Sequence, residues 1–182
     1  MEKVTLAAAL IAAVGSVTGV LLQVVLQTFA SRSSEMRAAQ RITLQPYLAR
    51  LASALHQVIA ISDIYMKRYP RQDVDGWRER GKQVQEELKK LRWEVRYFLW
   101  GLDEGLRTMS HFFDWVTHLQ DYPDKAEYLL KQGDELRRAL DDAIRNAYVR
   151  GTGPSWRDRW KVNKSVKRVQ EARYVVGIEE ET

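Results

Sequence analysis

Residues 77–102 read WRERGKQVQEELKKLRWEVRYFLWGL. Trp77, Val84, Leu88, Leu91, Val95, Phe98 and Leu102 recur at steps of seven, four, three, four, three and four. Alternating threes and fours keep side chains on one side of an α-helix, so this is a heptad seam of coiled-coil type. Trp93, Tyr97 and Trp100 mark a second aromatic stripe, and two apolar faces predict a helix central to a bundle. Gly101 and Gly105 either end this helix or let it continue through Leu106, Met109, Phe113, Val116 and Leu119, before Asp121–Asp124 (DYPD) closes it.

The same spacing continues outward. Upstream, Leu48, Leu51, Leu55, Val58, Ile59 and Ile61 predict a helix to about Tyr69, kinked or split near Gln45 by Pro46. Pro70–Gly76 (PRQDVDG) reads as a turn. Downstream, Lys125–Arg150 carries an inner stripe of Ala126, Leu129, Leu136, Leu140, Ala143 and Ala147, with Asp134, Arg137, Arg138, Asp141 and Asp142 as a solvated face. Gly151–Pro154 (GTGP) breaks it. A last helix runs from near Ser155 to before Gly177, with Val162, Val166, Val169 and Val176 inward. No strand-like alternation and no internal repeat is present. The expected fold is all-α: one N-terminal transmembrane helix followed by an antiparallel bundle of four to five helices.

That transmembrane helix is read from residues 4–31, VTLAAALIAAVGSVTGVLLQVVLQTFAS, which carry no charge between Lys3 and Arg32. About 20 apolar residues cross a bilayer core. The stretch exceeds the roughly 7–15 residues usual in a signal peptide, and Glu2 offsets the positive start. Arg32, Arg37 and Arg41 flank its C-terminal side, which places the N-terminus outside and the domain in the cytoplasm of an inner-membrane, single-pass protein. The expected division is an anchor over 1–31, a cytoplasmic bundle over 32–176 and an acidic disordered tail over 177–182. Within the anchor, Ala12, Gly15, Ser16, Gly19, Gln23 and Gln27 gather along one stripe. Small residues permit close helix approach and amides in lipid seek partners, so a homo-oligomer is expected.

Composition excludes much chemistry. The chain has 182 residues, 45% hydrophobic and 29% charged, with no cysteine, hence no disulfide, thiol nucleophile or thiolate metal site. No Gly-rich phosphate loop, HExxH pair or nucleophile elbow occurs. Of the three histidines, His111 and His118 share a helix face with Asp114, without the Glu-x-x-His pairs of bundle metal sites. No cofactor, metal or enzymatic activity is expected.

The net charge of +5 is local. From Arg150 to Arg173 eight basic residues face two acidic ones. Arg157, Arg159, Lys161, Lys164, Lys167 and Arg168 form a basic surface patch beside Trp156, Trp160 and Tyr174. A solvated helix face is the leading reading, an anionic leaflet the next, and nucleic acid the least favoured.

Arg50–His56 (RLASALH) has the Arg-to-His spacing of the HEPN ribonucleases, which are helical bundles of this size. Composition alone predicts about one such pair by accident, so this one carries no weight. At Arg145-Asn146 the downstream position is Arg150, which cannot serve as a base. In outline the chain is similar to accessory membrane proteins of RNA-targeting CRISPR systems that join one anchor to a HEPN-like bundle. That likeness implies a degenerate, tethered ribonuclease. The leading expectation is a self-associating, membrane-anchored module that recruits a cytoplasmic protein. The alternative is a membrane-perturbing or pore-forming effector of a bacterial stress or antiphage response, with Gln23 and Gln27 lining a polar path.

Overall fold

The computed structural model describes residues 35, 38–39, 41–69 and 74–178, and these contain five helices and no strand. The helices are α1 (residues 41–68), α2 (Asp75–Val95), α3 (Asp103–His118), α4 (Pro123–Arg150) and α5 (Trp156–Val175). The chain divides into two units, Met1–Arg41 and Ile42–Thr182. The expected anchor and its stripe from Ala12 to Gln27 lie outside the described residues. Among the described residues no helix is long and apolar enough to cross a membrane.

In the second unit the periodic residues meet in one hydrophobic core. Leu51, Leu55 and Val58 of α1, Leu88 and Leu91 of α2, Leu106, Met109 and Phe113 of α3, Leu129, Leu136 and Leu140 of α4, and Val162, Val166 and Val169 of α5 are all buried. The expectation of an antiparallel order is met by cross-helix pairs. Arg50 of α1 reaches Glu87 of α2 at 3.0 Å. Arg92 of α2 reaches Asp103 at the start of α3 at 2.7 Å. Asn146 of α4 donates to Asp158 of α5 at 3.0 Å. The start of α1, the α2–α3 turn and the α4–α5 turn therefore share one end, called upper here. The α3–α4 turn and the end of α5 lie at the lower end.

The helix terminations have local causes. After Val95 the chain turns, and Gly101 adopts φ 83°, a left-handed conformation that side chains disfavour. Tyr97 and Trp100 of the expected second stripe fall in this turn, and Gly105 falls inside α3. The stripe itself is a correction: Trp93, Tyr97 and Trp100 face outward, because Tyr97 and Trp100 belong to the turn. Pro123 starts α4, and Gly151 at φ 65° closes it. Ser155 caps α5 through a capping box with Asp158. Pro46 does not divide α1, which is helical on both sides of it. Its missing amide leaves only the carbonyl near exposed Ile42 without an intrahelical donor, where water can serve.

Two close approaches lock α3. A methyl at Gly133 of α4 would meet the Phe112 ring, and one at Gly81 of α2 would meet the Phe113 ring. The neighbours Phe112 and Phe113 thus key into different helices.

Candidate functional site: the aromatic and cationic upper end

The chain has six tryptophans. Trp93, Trp100, Trp156 and Trp160 stand at or within a turn of the upper end, with Tyr97 between the first two. They are 59%, 56%, 65% and 58% exposed, and Tyr97 is 85% exposed. Large aromatics so open to water at one place are uncommon and mark contact surfaces.

Each indole carries a cation over a face. Arg96 lies 4.9 Å from the Trp93 ring centre and 5.2 Å from that of Tyr97. Arg159 lies 4.1 Å from the Trp100 ring, Arg157 5.5 Å from Trp156, and Lys164 5.3 Å from Trp160. Exposed pairs of this kind contribute about 0.5–1 kcal/mol each. The Trp100–Arg159 pair also joins the two turns. A methyl at Gly153 would come within 2.9 Å of the Trp100 indole nitrogen and 3.0 Å of the Phe98 carbonyl.

Asp158 fixes the base of this surface. Its carboxylate accepts from the Arg150 guanidinium (2.7 Å), the Asn146 amide (3.0 Å), and the Ser155 hydroxyl (2.7 Å) and amide (3.1 Å). Burial favours the protonated acid, but these hydrogen bonds outweigh it and hold the carboxyl well below the usual carboxylate range. The pattern Ser-x-x-Asp at 155–158 was a visible capping-box signal.

The expected basic patch is divided. Arg157, Arg159, Lys161 and Lys164 stand with the tryptophans, whereas Arg168 reaches across to Glu135 of α4 at 2.9 Å. Lys167 is exposed about 16 Å along α5 from Trp156. Tyr174 lies toward the lower end, away from Trp156 and Trp160. The expected solvated face of α4 is also part interior: Arg137 is largely buried between Asp134 and Asp141, at 2.8 and 2.6 Å. Burial raises the Asp141 carboxyl despite that guanidinium.

A second feature is a groove of about 920 Å³ along α3 and α5, lined by Glu104, Arg107, His111, Trp115, Gln170 and Arg173 among others. His111 stacks on Trp115 with ring centres 6.5 Å apart, and Arg173 lies 4.9 Å from the Trp115 ring. Burial, helped by Lys89, lowers the His111 imidazole below its ordinary value, which favours the neutral ring. Glu104 accepts from both Arg107 and Gln170. Asp114 accepts from Gln85 at 3.2 Å, and His118 bonds the Asp114 carbonyl at 2.7 Å. No group of three or more metal-ligating side chains comes together among the described residues.

The Arg50–His56 spacing does not build a joint site. Arg50 is engaged by Glu87, and six residues of helix place His56 about 120° away. Arg145 pairs with Asp142 on the same helix, while Asn146 and Arg150 hold Asp158. The Arg-Asn pair and Arg150 thus sit in a helix-to-helix clasp. No family of known proteins, no curated protein and no solved structure matches this chain.

Proposed function

We propose that this protein is a membrane-tethered helical interaction module. Residues 4–31 hold it in the bilayer with the N-terminus outside, and copies associate through Ala12, Gly15, Ser16, Gly19, Gln23 and Gln27. The bundle stands at the cytoplasmic face and engages a protein partner there. The observation that carries this reading is the position of the aromatic and cationic surface. It shares the upper end with the start of α1, the end into which the charge-free segment and Arg32, Arg37 and Arg41 lead. Tryptophan and arginine together are the side chains that favour a lipid boundary on its cytoplasmic side.

The test is alkaline carbonate extraction of membranes from cells expressing the full chain, with protease access to tags at both termini. Retention in the pellet and a protected C-terminal tag in intact spheroplasts are expected. Extraction into the supernatant defeats the tether. For self-association, in-membrane cross-linking is expected to weaken in Gly19→Leu, and unchanged cross-linking defeats the stripe.

A further inference from the structure

We infer that the upper end of the bundle docks directly on an anionic lipid leaflet, so that the bundle stands on the membrane by this end. The inference rests on the tethered reading for where the lipid lies.

Charge comes first. Arg92, Arg96, Arg157, Arg159, Lys161 and Lys164 border four exposed tryptophans, and among the described residues Arg92 alone of these cations has a carboxylate partner, Asp103. A leaflet rich in anionic phosphates complements that cluster, and indole rings settle at headgroup depth. Chain length comes second. Ten residues lie between Ser31 and Ile42, which caps their separation at roughly 40 Å even fully extended. The 28 residues of α4 separate the lower end from the upper one by about 42 Å. The chain thus sets a tighter limit on the distance of the upper end from Ser31 than on that of the lower end.

The rings also discriminate between phosphate-bearing partners. Single-stranded nucleic acid is gripped by stacking bases on open aromatic faces. Here each of the four indoles has one face already covered by a guanidinium or ammonium group. What they leave open suits partition into a headgroup layer better than intercalation between bases.

The test is quenching of tryptophan emission by brominated lipid. The full chain is reconstituted in phosphatidylcholine vesicles, and in vesicles with one third phosphatidylglycerol, each brominated. Four of six tryptophans lie at this end, so emission is expected to fall about twofold in the anionic vesicles and little in the zwitterionic ones. Arg96→Glu with Arg157→Glu and Lys161→Glu is expected to abolish the difference with helicity unchanged by circular dichroism. Should that variant not fold, about 0.5 M salt does the same to the unaltered chain. Equal quenching in both vesicles, or none in either, overturns the inference. So does an oligonucleotide that shifts the emission where anionic vesicles do not. If carbonate strips the chain from both vesicles, the tether fails alone. Salt-sensitive co-flotation with anionic vesicles then still supports docking, and its absence defeats docking as well.

Discussion

At the lower end Arg78 lies 5.9 Å from the Tyr65 ring, and at the upper end Arg96 lies 4.9 Å from the Trp93 ring. The chemistry is the same and the surroundings are opposite. Tyr65 is fully buried, and its hydroxyl accepts from Arg78 at 3.1 Å while donating to Gln120 at 3.0 Å. Arg78 reaches Gln120 as well, at 3.3 Å. The lower trio closes its hydrogen bonds on itself around a buried ring, with Arg78 at the surface, and ties α1, α2 and the α3–α4 turn together. At the upper end the arginine and its ring both face water. An arginine beside an aromatic ring is thus a structural joint in one place and an open surface in the other. Only burial separates the two uses, so stability and membrane contact are expected to respond to different substitutions.

The largest effect on stability is expected at Asp158, the joint beneath the open surface. Asp158→Ala strands Arg150 and Asn146 and removes the α5 cap, a loss of about 2–4 kcal/mol in denaturant unfolding of the full chain in detergent. Its pH dependence has a definite sign. The folded carboxyl lies below the unfolded value of about 3.9, so its contribution is complete at neutral pH. It is lost only as pH falls below the ordinary carboxylate range. A stability difference between Asp158→Asn and the parent that stays constant from pH 7 down to about 2 contradicts this assignment.

Next comes Gly133→Ala, which forces a methyl against Phe112 and is expected to cost about 1–3 kcal/mol although alanine favours helix. A stabilised variant defeats that packing. Tyr65→Phe removes the lower hydroxyl and is expected to cost about 1–2 kcal/mol while leaving lipid quenching unchanged. The smallest stability effect belongs to the upper end. Trp156→Ser with Trp160→Ser is expected to shift stability by no more than about 0.5 kcal/mol per site. Large destabilisation there, or reduced quenching in Tyr65→Phe, erases the distinction between the ends.

Much of the bundle was legible because its core obeys one period. Leu88, Leu91, Leu129, Leu136, Leu140, Val162, Val166 and Val169 all face inward as their spacing requires. Ser155, Gly151 and Pro123 act locally, so the limits of α4 and α5 follow from short-range chemistry. The outward turn of Trp93, Tyr97 and Trp100 was not legible. A period reveals that residues share a face, not which face finds a neighbour, and α2 ends at Val95, before Tyr97 and Trp100 can continue a face. The meeting of Trp100 with Arg159, and the groove between α3 and α5, depend on helices distant in sequence. Arg137 looked solvated for a related reason: the spacing of charges along α4 does not show how deeply a side chain is buried.

Phe112 and Phe113 seat in saddles on two different helices, at Gly133 and Gly81. For α3 to slip along either neighbour, a ring must first climb out over a backbone that leaves it no slack. Helices pinned on both flanks cannot ratchet past one another. A push on the tryptophan-bearing end is therefore expected to move α2, α3 and α4 together, much as a lever carries it.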